Sequence, residues 1–421
     1  MEMKKYKLSE IATVEISGVD KKTKDNEIPV RLCNFTDVYH NWAITKEMTD
    51  SFMKASANQK EINTLSLRKG QVAFTKDSET RDDIGIPTYI ADDFENVVLG
   101  YHTALITPDK SKLSGKYLNA FMNTRYIQKY FENNASGSGQ RYTLSTETLN
   151  AIPVIAPDLQ AQEKIGDVFS NIDKKIALNR RMNAKLEQMA KRLYDHWFVQ
   201  FDFPNADGKP YKSSGGKMEY NEVLKREIPA GWEVQKLGDV CEIVLGGTPS
   251  TANNEFWENG TINWLNSGEV GIFPIVESEK KITEIAVEKS TTEFLKAGSV
   301  TLSITRYLRP SILTIDACIN QSVVGIKEND LFKNSFLYPY LQNEIDRLMS
   351  LRTGAQQPHI NKEIVEDSFI IIPPKDLMDK YKTKASPIYS QIINIAKETQ
   401  KLTALRDRLL PLLINGQVEV K

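Results

Sequence analysis

The residues of this chain best suited to metal or nucleophilic chemistry are three cysteines, Cys33, Cys241 and Cys318, and four histidines, His40, His102, His196 and His359. Their spacing forbids the common sites. Zinc needs ligands a few residues apart, and no two of these side chains are so placed, so no metal site is expected. An odd number of widely separated cysteines is no disulfide framework; it fits reduced intracellular thiols. The loops Gly246-Gly247-Thr248-Pro249-Ser250 and Ser136-Gly137-Ser138-Gly139 lack the lysine and spacing of a phosphate-cradling Walker loop and read as turns. Ile372-Pro373-Pro374-Lys375 lacks the acidic and aromatic members of an adenine-methyltransferase signature, and reads as a strand end. Glu2-Met3-Lys4 is half of a nuclease motif without its preceding aspartate. With no Gly-x-Ser-x-Gly motif and no Cys/His pair, the sequence describes a binding protein and not an enzyme.

Binding surfaces have to be held by folded elements, and composition supplies the material for them. The 421 residues are 40% hydrophobic and 26% charged, which suits a globular protein of about two to four domains. Lys+Arg number 54 against 55 Asp+Glu, a net charge of -1. That balance excludes a histone-like binder held by charge alone, though not a local basic surface. No stretch approaches the 18 or so apolar residues of a membrane span, and Met-Glu-Met-Lys-Lys-Tyr-Lys is followed by no apolar run. The expectation is a cytoplasmic protein without membrane contact.

The chain repeats itself. Lys7-Leu8-Ser9-Glu10-Ile11-Ala12 matches Lys236-Leu237-Gly238-Asp239-Val240-Cys241, and Leu67-Arg68-Lys69-Gly70-Gln71-Val72 matches Leu295-Lys296-Ala297-Gly298-Ser299-Val300. Lys116-Tyr117-Leu118-Asn119 parallels Ser335-Phe336-Leu337-Tyr338. Gly139–Leu144, leading to Ile155-Ala156-Pro157, parallels Ala355–Ile360, leading to Ile371-Ile372-Pro373. All four matches keep their order at an offset of 216–229 residues, too long for a solenoid and right for two similar domains. Strands are predicted at Gln71–Phe74, Ser299–Ile304 and Phe369–Ile372, and helices at Gly115–Tyr130 and Ser335–Leu348.

Each copy is followed by a helical stretch. From Leu159 to Trp197 there is no proline and one glycine, and a row recurs every seven residues: Ile165, Ile172, Asn179, Leu186, Leu193. Val168, Met182 and Met189 flank it on one side, and Phe169, Ile176 and Trp197 on the other. Such a helix would span about 58 Å. After the second copy, Ile388, Ile392, Ile395, Leu402, Leu405, Leu409, Leu412 and Leu413 follow the same period, with Pro411 expected to kink or end the helix and Asn415-Gly416 to stop it. One amphipathic helix cannot bury its own seam, whereas two can bury each other, so an antiparallel pair is expected, with Ile388, Ile395, Leu402 and Leu409 facing the first row. Asn179 suits either a solvent edge or a buried position that fixes register. The fold class is α+β: two similar mixed α/β domains separated by two long antiparallel helices forming a coiled-coil-like spacer. The boundaries are residues 1–157 for the first domain, 158–203 for the central helix, 204–227 for a Pro/Gly/Ser-rich linker, 228–373 for the second domain and 374–421 for the C-terminal helix.

This organisation resembles the specificity subunit of Type I restriction–modification enzymes over essentially the whole chain. The resemblance is carried by Tyr6–Ile11 and Val234–Asp239, by Gly246–Ser250 with Ile262-Asn263-Trp264-Leu265, and by the closing loops Gly137–Leu144 and Gly354–Ile360. Its most specific part is Leu193-Tyr194-Asp195-His196-Trp197-Phe198-Val199-Gln200-Phe201-Asp202-Phe203-Pro204, continuing through Gly215-Gly216-Lys217-Met218 to Ile228-Pro229-Ala230-Gly231-Trp232. The first domain lacks the Gly-Gly-Thr-Pro-Ser segment of the second, which fits two domains reading different sequences.

The resemblance implies a non-catalytic DNA-recognition subunit with two target-recognition domains, each reading one half of a bipartite asymmetric site in double-stranded DNA. The helices would fix the unread spacer and dock two modification (methyltransferase) subunits. Those subunits would use S-adenosylmethionine, with no cofactor in this chain, and restriction subunits would join for cleavage. The rival reading is a two-domain interaction scaffold that touches no DNA. Arg and Lys suit guanine, and Asn and Gln suit adenine, in the major groove. On that basis the candidate DNA-reading residues are Lys76, Arg81, Ser138, Gln140, Arg141 and Tyr142 in the first domain. In the second they are Thr248, Ser250, Arg306, Tyr307, Arg309, Gln356, Gln357 and His359. Trp197, Phe198, Phe201 and Phe203 serve either as packing where helix meets linker or as a base-stacking platform.

Overall fold

A computed structural model describes every residue except Met1, Gln140, Ala355, Gln357 and Lys421, and the side chain of Ser138. Packing divides the chain into two units: Met1–Ala177 with Lys401–Lys421, and Leu178–Gln400.

In the first unit the opening strand Lys4–Lys7 pairs antiparallel with the closing strand Pro153–Ala156. Between them Val72–Thr75, four consecutive buried residues, lies at the centre of a five-stranded sheet, flanked by Thr103–Pro108 and Pro87–Ile90. A run buried on both faces reads as continuously apolar, which is why this strand was visible in the sequence. A second sheet, Met53–Ala57, Ile28–Cys33 and Val97–Leu99, shares a core with Ile44, Ala73, Ile90 and Leu105 of the first. The helix expected over Gly115–Tyr130 is instead two helices, Gly115–Met122 and Arg125–Asn134. Side chains make the break: Asn123 Nδ2 donates to the Asn119 carbonyl at 2.8 Å and the Thr124 hydroxyl to the Phe121 carbonyl at 2.7 Å, capturing acceptors that would otherwise extend the helix.

The second unit repeats the plan. Glu233–Lys236 pairs with Phe369–Ile372, and Val300–Ser303, again fully buried, is central in a four-stranded sheet between Val323–Ile326 and Pro310–Ile312. A further four-stranded sheet centres on Ile262–Leu265 and Ala317–Ile319. The helix Asn334–Ser350 passes through Pro339. All three cysteines are free and buried, and burial pushes the Cys241 thiol up to about 12 and Cys318 to about 11. Among the described residues no helix is long and apolar enough to cross a membrane, and no group of three or more His, Cys, Asp or Glu could hold a metal ion.

The two long helices run Leu159–Tyr194 and Lys375–Ile414. The first then widens into a turn of π-helix, Asp195–Val199, where the Gln200 amide donates to the Asp195 carbonyl five residues back. Pro387 and Pro411 lie inside the second helix; of the two alternatives for Pro411, a kink or an end, the end is excluded, and the helix stops at Ile414, just before Asn415-Gly416. Both are exposed, so the carbonyls they leave unpaired face water, while their neighbours Ala385, Tyr389, Leu410 and Leu413 are buried. In the first unit Ile165 and Phe169 share a core with Leu410, Leu413 and Ile414. In the second, Ala190, Tyr194 and Trp197 share one with Tyr381, Ala385, Tyr389 and Ile392. Within each unit the helices therefore pack antiparallel.

The seam is a 4-3 repeat and not a single row. Phe169, Ile176, Ala190 and Trp197 are buried, whereas Ile172, Leu186, Leu193, Ile388, Leu402 and Leu409 are half-buried and Met189, on the other flank, is exposed. Asn179 takes the buried alternative: it is 0% exposed and its Nδ2 donates to Glu398 Oε2 at 2.8 Å. Asn183, one turn on, donates to the Ile392 carbonyl at 3.2 Å. Trp197, Phe198, Phe201 and Phe203 are packing residues. Phe198 meets Phe336 and Tyr381 edge-on at 4.8 Å, and Phe203 stacks on Trp232 at 5.2 Å, so none offers a face to a base.

Candidate nucleic-acid interface

Both domains turn the chain in the same way just past the buried central strand. In the first, the Lys76 amide donates to the His102 carbonyl at 2.8 Å and the Lys76 carbonyl accepts from the Leu144 amide at 3.0 Å. In the second, Ile304 makes the same pair of bonds, to Ser322 and from Ile360, each at 3.0 Å. Lys76 thus corresponds to Ile304, Asp77 to Thr305 and His102 to Ser322. Three segments meet at each turn: the end of the central strand, the loop entering the next strand of the sheet, and the closing loop.

In the first domain the closing loop is a hairpin, Ser136–Ser138 with Arg141–Thr143, whose second strand pairs with Asp77–Ser78. Gly137 has φ +140°, and a Cβ there would lie 2.1 Å from the Arg141 carbonyl oxygen, so only glycine lets the hairpin close. The pairing brings Lys76, Arg81, Arg141 and Tyr142 together. Arg81 lies over the Tyr142 ring at 5.0 Å. Lys76 turns inward, its Nζ donating to Asp77 Oδ1 and to Thr143 Oγ1, both at 2.8 Å. Asp77 Oδ2 accepts from His102 Nδ1 at 2.5 Å and from an Arg141 Nη2 at 3.2 Å, and Arg141 also touches the His102 ring. Burial of the Asp77 carboxyl opposes its ionisation, but hydrogen bonds from Lys76, Thr143 and His102 outweigh that and hold it down at about 2. Gln140 and the side chain of Ser138 lie outside the described residues.

In the second domain the turn opens into a cleft of about 520 Å³ lined by Ser267, Gly268, Ser303, Thr305, Arg306, Tyr307, Arg309, Ser322 and Gln356. Arg306 has φ +63°, a conformation unfavourable for a side chain with a Cβ. Neighbouring bonds impose it: its amide donates to the Pro358 carbonyl at 2.9 Å, and Arg352 Nη1 donates to the Arg306 carbonyl at 2.8 Å. Arg309 lies over the ring of Tyr307, 5.5 Å from its centroid, and that tyrosine is 59% exposed. Thr248 reaches the rim by donating to Gln321, the residue before Ser322. Ser250 does not line the cleft; its carbonyl anchors Trp257 Nε1 at 3.1 Å in the adjoining loop. His359 is exposed, and its amide and carbonyl pair with those of Thr353 beside the cleft. Gln357 lies outside the described residues.

Sequence reasoning missed Asp77 and His102, and with them Ser267, Ser303, Gln321 and Ser322. The one available signal was the repeat itself, whose offset sets His102 against Ser322.

A family model, the Type I restriction modification DNA specificity domain, matches residues 1–188 and again 229–405, one match for each repeat. The chain belongs to the Type I restriction–modification DNA specificity family. Its relatives include the MjaIX specificity subunit of Methanocaldococcus jannaschii, 27% identical and covering 74% of this chain and 71% of that one. The HindI specificity subunit of Haemophilus influenzae is 23% identical over 99% of both chains. The crystal structure of a Type I system S subunit from M. genitalium shares the fold, with a TM-score of 0.59 at 13% identity over 98% of this chain and 96% of that one. As a member of this family the chain is a DNA sequence-recognition subunit of a Type I restriction–modification complex. It is non-catalytic, the enzymatic activities residing in partner subunits.

Proposed function

We propose that each domain of this specificity subunit reads one half of a bipartite, asymmetric DNA site, through the cluster around Asp77 and Arg141 in the first domain and the cleft around Arg306 and Arg309 in the second. One observation carries this reading: the same pair of backbone bonds builds the two turns, yet different side chains line them. A conserved frame with exchanged lining is what two readers of different sequences require. The domains are taken as residues 1–157 and 228–373, joined through the helix and linker of 158–203 and 204–227 and closed by 374–421.

The first long helix, at 36 residues, extends about 54 Å, longer than the roughly 34–36 Å of one turn of B-DNA, which suits it to set the unread spacer. The helices also dock two methyltransferase subunits, which bring S-adenosylmethionine and extrude the target adenine; restriction subunits join these for cleavage. From Leu159 to Gln200 there are eight Lys/Arg against five Asp/Glu, a mild basic excess on the element assigned to partners. With a net charge of -1, the chain leaves most of the phosphate grip to the methyltransferase subunits and itself supplies the address.

Exchange of residues 1–157 for those of a relative, in cells that also express the methyltransferase subunit, tests this. The methylated motif, read by long-read sequencing, changes in one half only. An unchanged motif refutes the reading.

A further inference from the structure

Asp77 is out of place in a surface meant for DNA. A carboxylate repels phosphate, and this one is buried, 8% exposed, at the centre of the first-domain cluster. Three donors from three segments converge on it: Lys76 from the end of the central strand, His102 from the loop before Thr103–Pro108, and Arg141 from the closing hairpin. They do not share the same fate. The Lys76 side chain is 15% exposed, and its ammonium is committed to Asp77 and Thr143. The Arg141 side chain is 54% exposed and is held by Nη2, with no hydrogen bond from Nε or Nη1 among the described residues.

The bland account of Asp77 is a buried ion pair that stabilises the turn and does nothing else. The second domain shows that the turn does not require one. There the turn is made with the same backbone bonds, and Thr305 stands where Asp77 does, so this fold closes without a carboxylate. What Asp77 adds is orientation. A guanine is read by two parallel N–H donors of one guanidinium, and a half-exposed arginine free to rotate loses side-chain entropy when it docks. Tethering one terminal nitrogen removes most of that loss in advance.

We infer that Asp77 is a specificity-determining positioning residue, which holds Arg141 in the orientation that reads a guanine in the first half-site and keeps Lys76 out of the interface. This rests on the two-half-site reading above. Its test uses the full chain with its methyltransferase subunit and scores the methylated motif for Asp77→Thr, Asp77→Asn and Arg141→Ala. Asp77→Thr installs the second domain's own residue and keeps the test decisive if Asp77→Asn fails to fold. The expected result is that all three relax the same single guanine position in the first half-site, by about tenfold or more, and leave the second half-site intact. If Arg141→Ala relaxes that position while Asp77→Thr and Asp77→Asn keep the motif, the inference is overturned and the two-half-site reading stands. If none of the three alters the motif and exchange of residues 1–157 does not either, the underlying reading is itself overturned. A motif degraded at every position of both half-sites by Asp77→Thr assigns Asp77 to the folding of the chain as a whole and also overturns the inference.

Discussion

The two candidate reading surfaces differ in how they hold an arginine. In the first domain Arg141 is held from its side chain by a carboxylate, on an unstrained strand. In the second Arg306 is held from its backbone, locked at φ +63° by Pro358 and Arg352, with hydroxyls around it and no acid among the residues lining the cleft. One frame thus allows two ways of preorganising a long, flexible donor, by a charge tether or by backbone strain. The first leaves the turn dependent on charge, the second on geometry.

Three experiments separate these. The largest effect is expected from Gly137→Ala. The new Cβ meets a backbone oxygen at 2.1 Å, so the hairpin carrying Arg141 must open, at a cost on the order of 3 kcal/mol. First-half-site discrimination is lost while the second survives; a motif that keeps both halves would show that the hairpin does not place the reader.

The next concerns acid. The Asp77 carboxyl ionises more readily in the folded protein than in the unfolded chain, so its contribution is fully present above about pH 4 and is lost as pH falls through about 2. The stability difference between the chain and its Asp77→Thr variant therefore shrinks by about 2 kcal/mol across that window in denaturant titrations. A difference that stays constant with pH would mean that Lys76, Thr143 and His102 do not hold the Asp77 carboxyl ionised.

The smallest effect is Arg306→Gly, which relieves the left-handed backbone. Thermal unfolding of the variant is unchanged or raised, by up to about 1 kcal/mol, while the second half-site relaxes. Lowered stability with an intact motif would remove both strain and readout from Arg306.

Much of this was legible in the sequence because it was periodic or repeated. The central strand of the first domain opens on the apolar run Val72-Ala73-Phe74, that of the second was found through its match to the first, and the helix seam repeats every seven residues. The closing loops stood at matching offsets, and Arg81, Arg141 and Tyr142, like Arg306, Tyr307 and Arg309, came from that reading and lie together in the structure. Other features were hidden for physical reasons. Lys76 looked like a free basic side chain, and nothing local shows that an acid beside it and a threonine 67 residues away would take its ammonium. Asp77 and His102 are 25 residues apart, and their contact exists only once the sheet has set both turns side by side. Pro411 reads as a kink or a helix stop, and the helix passes it because Leu410 and Leu413 are buried and the ring faces water.

What the sequence determined by itself is the plan: two copies of one α/β unit, two heptad helices, and candidate readers at matching loops. Periodicity and repetition are local or self-referential and survive in one dimension. The tertiary structure decided which charges are spent inside the molecule and which remain exposed. Which of these a charge becomes depends on partners that only long-range strand pairing brings within about 3 Å of one another.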